Sequence, residues 1–500
     1  MSKRFVMLAL LRGLKMCMTF SLLVLYGRIF GISEQMDAWV LASGVVASVG
    51  MILWGPVNEV ARSHYLSQVD VLGTEEARHS ASSLLVFTFM VSLLVGTLLY
   101  FTAPQIVGFL TEPRADGASH LFLELFALML PSIVMGQMLS LGTAYMNCYD
   151  IIYTPEVMGI LSNIINFASV LLLSSWLGVY SLPFGSYAGT LASLLVASRF
   201  LVKNDFIHTS QGIRRILSDS WSTLMFSAPL FLSYGAGQLN SLLEKYIASL
   251  IGVGVISSIN YAVQIKGSFQ AIITSVMFTL VVPSLTRASA KIDGAEFFVL
   301  LKEALTLALI FLLFVIPILF GTADALAETI IGSSQTTLED VIDLAWLIRL
   351  YGAALLPVVL FVVFGVALLA QQKSGPYALL GIGAQVFSAI LLIGTFGAIG
   401  KAAFPIALFV SHMIAALFML RAINTQQRGM LIARAGAMTA LVAFMAVLME
   451  ILNGFLSNFF DSSWTGAILA AAIFILGFGF LGACANAPRL VSIAKAWLRR

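Results

Sequence analysis

Glu244 and Lys245 stand side by side in a run, 222–252, that otherwise has the composition of a membrane helix, and Gln238, Asn240, Ser241 and Ser249 recur around them. At about 100° per residue, Gln238, Ser241, Lys245 and Ser249 share one helical face, while Asn240 and Glu244 lie on an adjoining one. An ionisable group at the bilayer centre costs about 2.5–3.5 kcal/mol on insertion scales, so such a face is expected to border water or a partner. Mutual neutralisation of Glu244 and Lys245 near the periplasmic surface is the competing explanation. The next run, 258–287, carries Asn260, Gln264 and Ser268 at four-residue spacing, with Lys266 on a neighbouring stripe. Interhelical hydrogen bonding would also account for these. In the first run Arg12 and Lys15 are three apart and share a face, either toward a ligand or snorkelling to the cytoplasmic headgroups.

Catalytic constellations are not evident. The stretch "GTFGAIGKAAF" has the glycines of a phosphate loop at the wrong spacing, and no Ser or Thr follows Lys401. The five histidines are dispersed and form no H-E-x-x-H. Cys17, Cys148 and Cys484 are scattered, which implies neither a disulfide framework nor a metal site. The chain is therefore expected to be no enzyme and to need no cofactor or metal, with coupling to protons, cations or membrane potential as its energy source.

The elements that must position these residues follow from composition. The chain is 60% hydrophobic and 10% charged, whereas soluble chains carry roughly 25% charge. A span needs about 20 apolar residues. On that basis the sequence predicts an all-α polytopic membrane protein of about 14 transmembrane helices. Lys3, Arg4, Arg62, Arg78, Lys203, Arg214, Arg215, Arg287, Lys291, Lys373, Arg421, Arg428, Arg489, Lys495, Arg499 and Arg500 fall in one alternate set of joints, while the other holds little more than Arg28, Arg114 and Lys401 and is otherwise neutral or acidic, as at Asp324, Glu328, Glu339 and Asp340. Positively charged joints stay cytoplasmic, so both termini are expected in the cytoplasm, and the N-terminal run reads as a retained signal anchor. The net charge of +3 is explained by this bias, and nucleic-acid binding is not expected.

The chain also repeats itself. Pro183 and Arg199 are separated by 16 residues, as are Pro405 and Arg421, and each pair follows two earlier prolines: Pro131 and Pro155, then Pro357 and Pro376. The expected organisation is an N-terminal six-helix lobe at 1–203, a cytoplasmic linker at 204–221 and a second six-helix lobe at 222–423. Two extra helices follow at 424–487, then a basic cytoplasmic tail at 488–500. Pseudo-symmetric halves around a midplane site are the usual plan of an alternating-access transporter.

Two segments carry a resemblance: "GRIFGISEQMDAW", with Gly31, Asp37 and Ala38, and "SSINYAVQIKGSFQAIITSVMFTLVVPSLTRA", with Tyr261, Ala262, Pro283 and Leu285. Here the chain resembles the MurJ/MviN branch of the multidrug/oligosaccharidyl-lipid/polysaccharide exporter superfamily. That resemblance implies two six-helix lobes, a central cavity and two additional helices. It also implies arginines that hold the pyrophosphate of a lipid-linked substrate, and these the chain lacks. Leu22 and Leu23 stand for an Arg-Asp pair in the first helix; Gly44, Val46 and Ala47 stand for an Arg and a Pro-Asn in the second; Val263 and Gln264 stand for Asp-Arg in the eighth.

The resulting expectation is a bacterial inner-membrane flippase for a polyprenyl-pyrophosphate-linked glycan, feeding an exopolysaccharide or related envelope polymer. Its substrate-binding residues are expected to be Arg12, Lys15, Gln238, Ser241, Lys245, Asn260, Gln264 and Lys266, with Glu244 as the ion-coupling group. Expected partners are the glycan lipid, membrane lipids and a glycan polymerase or synthase complex. The alternatives are a lipid II flippase for peptidoglycan synthesis, an ion-coupled exporter of small amphipathic cations with Glu244 as substrate carboxylate, or a non-transporting scaffold.

Overall fold

The structure is a computed structural model that describes residues 3–111, 116–206, 212–289, 295–332, 336–424 and 427–457, with 465–466, 468–469 and 471–472 beyond them. Nearly all of it is helix, and no strand occurs among the described residues. The contacts divide the chain into two compact units, Met1–Ser257 and Ser258–Arg500. The division falls one span later than the lobe limit expected from the repeat, because the seventh span packs on the second and third helices of the first unit.

The first unit contains α1 (Lys3–Phe30), α2 (Glu34–Leu72), α3 (Thr74–Thr111), α4 (Asp116–Met129), α5 (Pro131–Cys148), α6 (Tyr153–Leu177), α7 (Ser181–Lys203) and α8 (Ile213–Ile251). Hydropathy reports only the lipid-crossing part of such helices. The polar interval at 63–80 is therefore helical too, interrupted at Gly73, whose φ of 87° ends α2 and whose amide bonds to the Val69 carbonyl at 3.1 Å. The α2, α3, α5 and α7 ends meet in an aromatic cluster. Tyr145 stacks on Phe206 at 5.0 Å between ring centres, and Tyr65 and Phe200 close around them. Arg78 reaches this cluster through the Tyr149 hydroxyl at 3.2 Å.

The division falls in the first turn of α9 (Val255–Val276); the second unit contains the rest of it, then α10 (Val282–Ser289), α11 (Ala295–Ile331), α12 (Leu338–Ala370), α13 (Ser374–Ile399), α14 (Ala403–Ala422) and α15 (Arg428–Ser457). The α11 and α12 helices form its apolar centre; α14 packs on α12 and α15 on α11. Thr337 and Asp340 close a reciprocal capping box that starts α12. Between α9 and α10 lies a π-helical turn, Met277–Val281, just before Pro283, so the eighth span stays helical but widens by a turn there.

The internal repeat is legible in the backbone. Asp150 and Gln372 adopt φ of 57° and 58°, and Gly178 and Gly400 adopt 53° and 55°; both pairs are 222 residues apart, 150 to 372 and 178 to 400. Each of these glycines opens a short 3-10 turn that leads into a proline-started helix. The α6 and α7 helices form an antiparallel hairpin in which Gly189 faces Ser162 and Ser193 donates to the Met158 carbonyl at 3.1 Å. In α13 the buried residues Ala384, Ser388 and Leu392 occupy the places of Ser162, Asn166 and Val170.

Nine segments among the described residues are long and apolar enough to cross a membrane, and two of these, Tyr153–Lys203 and Ser374–Ala422, each hold a hairpin. The expected count of 14 is thus not established. The α8 and α9 helices lie on the expected runs 222–252 and 258–287 but are more polar than these nine, and the expected fourteenth span, 463–487, lies almost wholly outside the described residues. Cys484, the basic tail at 488–500 and part of the linker also lie outside them.

Candidate functional site

The first cluster joins α1 to α6. Arg12 Nε lies 3.0 Å from Glu156 Oε1, and Lys15 Nζ lies 3.5 Å from Glu156 Oε2. One helical turn higher, Asn163 Nδ2 donates to Thr19 Oγ1 at 3.0 Å. The contacts pair 12 with 156, 15 with 159 and 19 with 163, a constant register that makes the two helices parallel. Arg12 and Lys15 are about half exposed, and Glu156 is 16% exposed. One carboxylate is shared by the two cations. Glu156 was not singled out in the sequence. Its signal is the spacing of Glu156, Gly159, Asn163 and Asn166, which places all four on one face of α6.

The second cluster is on α8. Lys245 Nζ lies 2.8 Å from Ser241 Oγ and 3.4 Å from the Ser241 carbonyl, while Asn240 Nδ2 donates to Glu244 Oε1 at 3.0 Å. Each member of the adjacent acid–base pair therefore reaches back one turn along its own face, and a direct Glu244–Lys245 ion pair is not what holds Lys245. Gln238 and Ser241 are half-buried on the Lys245 face, as the helical spacing required. The α2 helix runs antiparallel against α8 and supplies two glycines. Gly44 receives the Lys245 stem, and Gly55 receives the Tyr234 ring, whose hydroxyl donates to Glu59 at 2.6 Å.

Asp37, read from the sequence as a family landmark, is a structural clasp. Buried in the first turn of α2, it accepts hydrogen bonds from the amides of Gly254 at 2.6 Å and Ser257 at 2.7 Å. Gly254 has a φ of 80° and is pressed against Ile32, so this turn has no room for a side chain.

In the second unit Asn260 is half-buried and Gln264 exposed on α9, and the Gln264 carbonyl accepts from Ser268 at 2.9 Å. Lys266 is half-buried and near enough to His412 of α14 to act on it electrostatically. His412 is buried, with Nδ1 3.1 Å from the Leu408 carbonyl and 3.2 Å from Ser411 Oγ, and its ring meets Phe361 edge-on. Arg349 on α12 has two acidic partners, Asp324 on α11 at 2.6 Å and Glu450 on α15 at 3.5 Å. The expected site residues therefore resolve into an α1–α6 group and an α8 group in the first unit and an α9 group in the second.

Against known proteins, the chain is 24% identical over 272 residues to the lipid II flippase MurJ of Burkholderia cenocepacia, an alignment covering 52% of this chain and 51% of that one. The chain thus spans about half the length of this curated relative. Its fold is that of a lipid II flippase MurJ solved in an inward closed conformation, with a TM-score of 0.74 at 17% identity over 95% of this chain and 98% of the other. An inward-facing multidrug resistance transporter of the MATE family and MOP superfamily gives a TM-score of 0.67 at 14% identity, over 86% and 99%. With the π-helical turn and the Asp37 clasp falling in the two resembling segments, and the family model described as lipid II flippase MurJ matching residues 28–475, the chain belongs to the MurJ family.

Proposed function

We propose that this chain moves a polyprenyl-pyrophosphate-linked glycan, lipid II, across the bacterial inner membrane by alternating access. The observation that carries this reading is the grouping of Arg12, Lys15 and Lys245 on helices of the first unit. Arg12 and Lys15 share one carboxylate, and Lys245 is held by a serine. Such an arrangement suits an anionic head group and disfavours the export of small cations, for which Glu244 would have to face the substrate. Exposed Leu10 and Leu14 beside Arg12 and Lys15 give α1 an apolar surface next to its cations, the combination that a lipid with a charged head requires. Glu244, with its Asn240 partner, is the candidate for ion coupling.

The departures at Leu22, Leu23, Gly44 and Gln264 pointed first to an exopolysaccharide or envelope-polymer precursor. The family description and the curated relative's name favour lipid II instead. Both readings keep the pyrophosphate and differ in the sugar. The test is complementation: expressed in a bacterium depleted of its own lipid II flippase, the chain is expected to restore growth and relieve lipid II accumulation. Lipid II accumulation that persists despite normal membrane insertion overturns the lipid II reading. Restoration of a blocked exopolysaccharide route in the same assay would then favour the second.

A further inference from the structure

Lys245 and Lys15 are seated in the same way, each with its stem laid across a glycine of the neighbouring helix. A methyl group added at Gly44 would come within 3.0 Å of Lys245 Cδ and 3.1 Å of Nζ, and nearer still to Cε. One added at Gly159 would come within 2.8 Å of Lys15 Cε and 3.0 Å of Nζ. On α2 the seat is fixed by helix register. Gly44 and Gly55 are three turns apart, and so are Lys245 and Tyr234, the two α8 side chains they receive. The stem therefore cannot swing toward α2, and any side chain at position 44 would displace it.

At its tip, Lys245 is bound by the hydroxyl and carbonyl of Ser241 and has no carboxylate within ion-pairing distance among the described residues. An ammonium has three N–H donors, so one remains for a further acceptor. A lysine normally gives up much rotamer freedom when it binds, and a seated stem has given it up already.

We propose that Gly44 is a positioning residue for substrate specificity: it seats Lys245 so that the ammonium, held by Ser241, forms a ready-made receptor for the pyrophosphate of the lipid-linked substrate. This deepens the flippase reading and rests on it.

The test uses the purified full-length chain, with farnesyl pyrophosphate as probe and farnesol as its uncharged counterpart. Lys245→Gln is expected to weaken farnesyl pyrophosphate binding about tenfold, the effect of one charge-assisted hydrogen bond, and to leave farnesol binding unchanged. Gly44→Ala is expected to do the same, and Gly44→Ala/Lys245→Gln to be no worse than Lys245→Gln alone. The stem end that a Gly44→Ala methyl would meet is flexible and can give way, so thermal stability is expected to stay near that of the wild type. A stability loss that persists in Gly44→Ala/Lys245→Ala would assign the effect to helix packing and overturn the seat. Wild-type affinity in Gly44→Ala, or additive losses in the double variant, overturns the positioning role. Unchanged binding in Lys245→Gln overturns the receptor and leaves the flippase reading intact. Failure of the wild type to prefer farnesyl pyrophosphate over farnesol overturns both.

Discussion

Four cations inside the helices differ in how many carboxylates surround them. Lys245 on α8 has a serine, Arg12 and Lys15 on α1 divide one glutamate between them, and Arg349 on α12 is clasped by an aspartate and a glutamate. A cation surrounded by enough negative charge holds helices together and has little left to offer a ligand. One held by a hydroxyl keeps its charge, at a desolvation cost that a bound anion can relieve. On the proposed function, the series is expected to separate charge placed for substrate from charge placed for structure.

The largest effect is expected at Lys245. Lys245→Gln should reduce lipid-linked glycan transport about ten- to hundredfold, in line with loss of one or two hydrogen bonds to a charged group, whereas Lys15→Gln should cost less because Arg12 remains on the same face. Transport measured in reconstituted vesicles, with membrane insertion checked in parallel, decides the ranking. Equal losses at the two lysines would collapse the distinction between serine-held and glutamate-held charge. Glu156→Gln should act in the opposite direction. Without its carboxylate the α1 cations attract an anionic head group more strongly, by about three- to fivefold for about 1 kcal/mol of screened attraction, while the α1–α6 seam loses stability. Weaker head-group binding in Glu156→Gln would show that the carboxylate orients Arg12 and Lys15 rather than competing with the ligand.

How much of this was legible in the sequence depended on the range over which each feature acts. Proline and glycine act locally, so the repeated hairpins, with Gly178 and Gly400 at their turns, could be anticipated from spacing alone. The face shared by Gln238, Ser241 and Lys245 was equally readable, since it needs only the helical period. The glycine seats were not, because Gly44 and Lys245 meet only once the α2–α8 register is fixed, and Gly159 looks like any other glycine of a membrane helix until Lys15 lies across it. Glu156 was hidden for a related reason. Beside Pro155 at the start of a helix, an acidic residue reads as an ordinary first-turn charge, and only the parallel pairing with α1 turns it into the partner of two cations. The α8 and α9 helices lie on the runs 222–252 and 258–287 read from the sequence, where the local period was enough to find a helix although its polar face lowers the apolarity.

The smallest effect on transport is expected at Arg349, although its ion pairs are the most complete. Arg349 is 16% exposed, whereas Asp324 and Glu450 are 48% and 50% exposed. Water and salt therefore screen the acidic side of each pair, and the α15 partner at 3.5 Å is the weaker of the two. Glu450→Gln should lower stability by about 1 kcal/mol or less, and Asp324→Asn by more, because the 2.6 Å contact is lost and a largely buried guanidinium is left with one distant carboxylate. The α15 helix keeps its apolar grip through Met449, packed against Gly321 of α11, so it should stay docked in Glu450→Gln. Thermal unfolding and transport measured on the same preparations check this. A transport loss in Glu450→Gln as large as that in Lys245→Gln, without a matching loss of stability, would mean that a cation with two carboxylate partners also serves the substrate, and the carboxylate count would no longer separate the two kinds of charge.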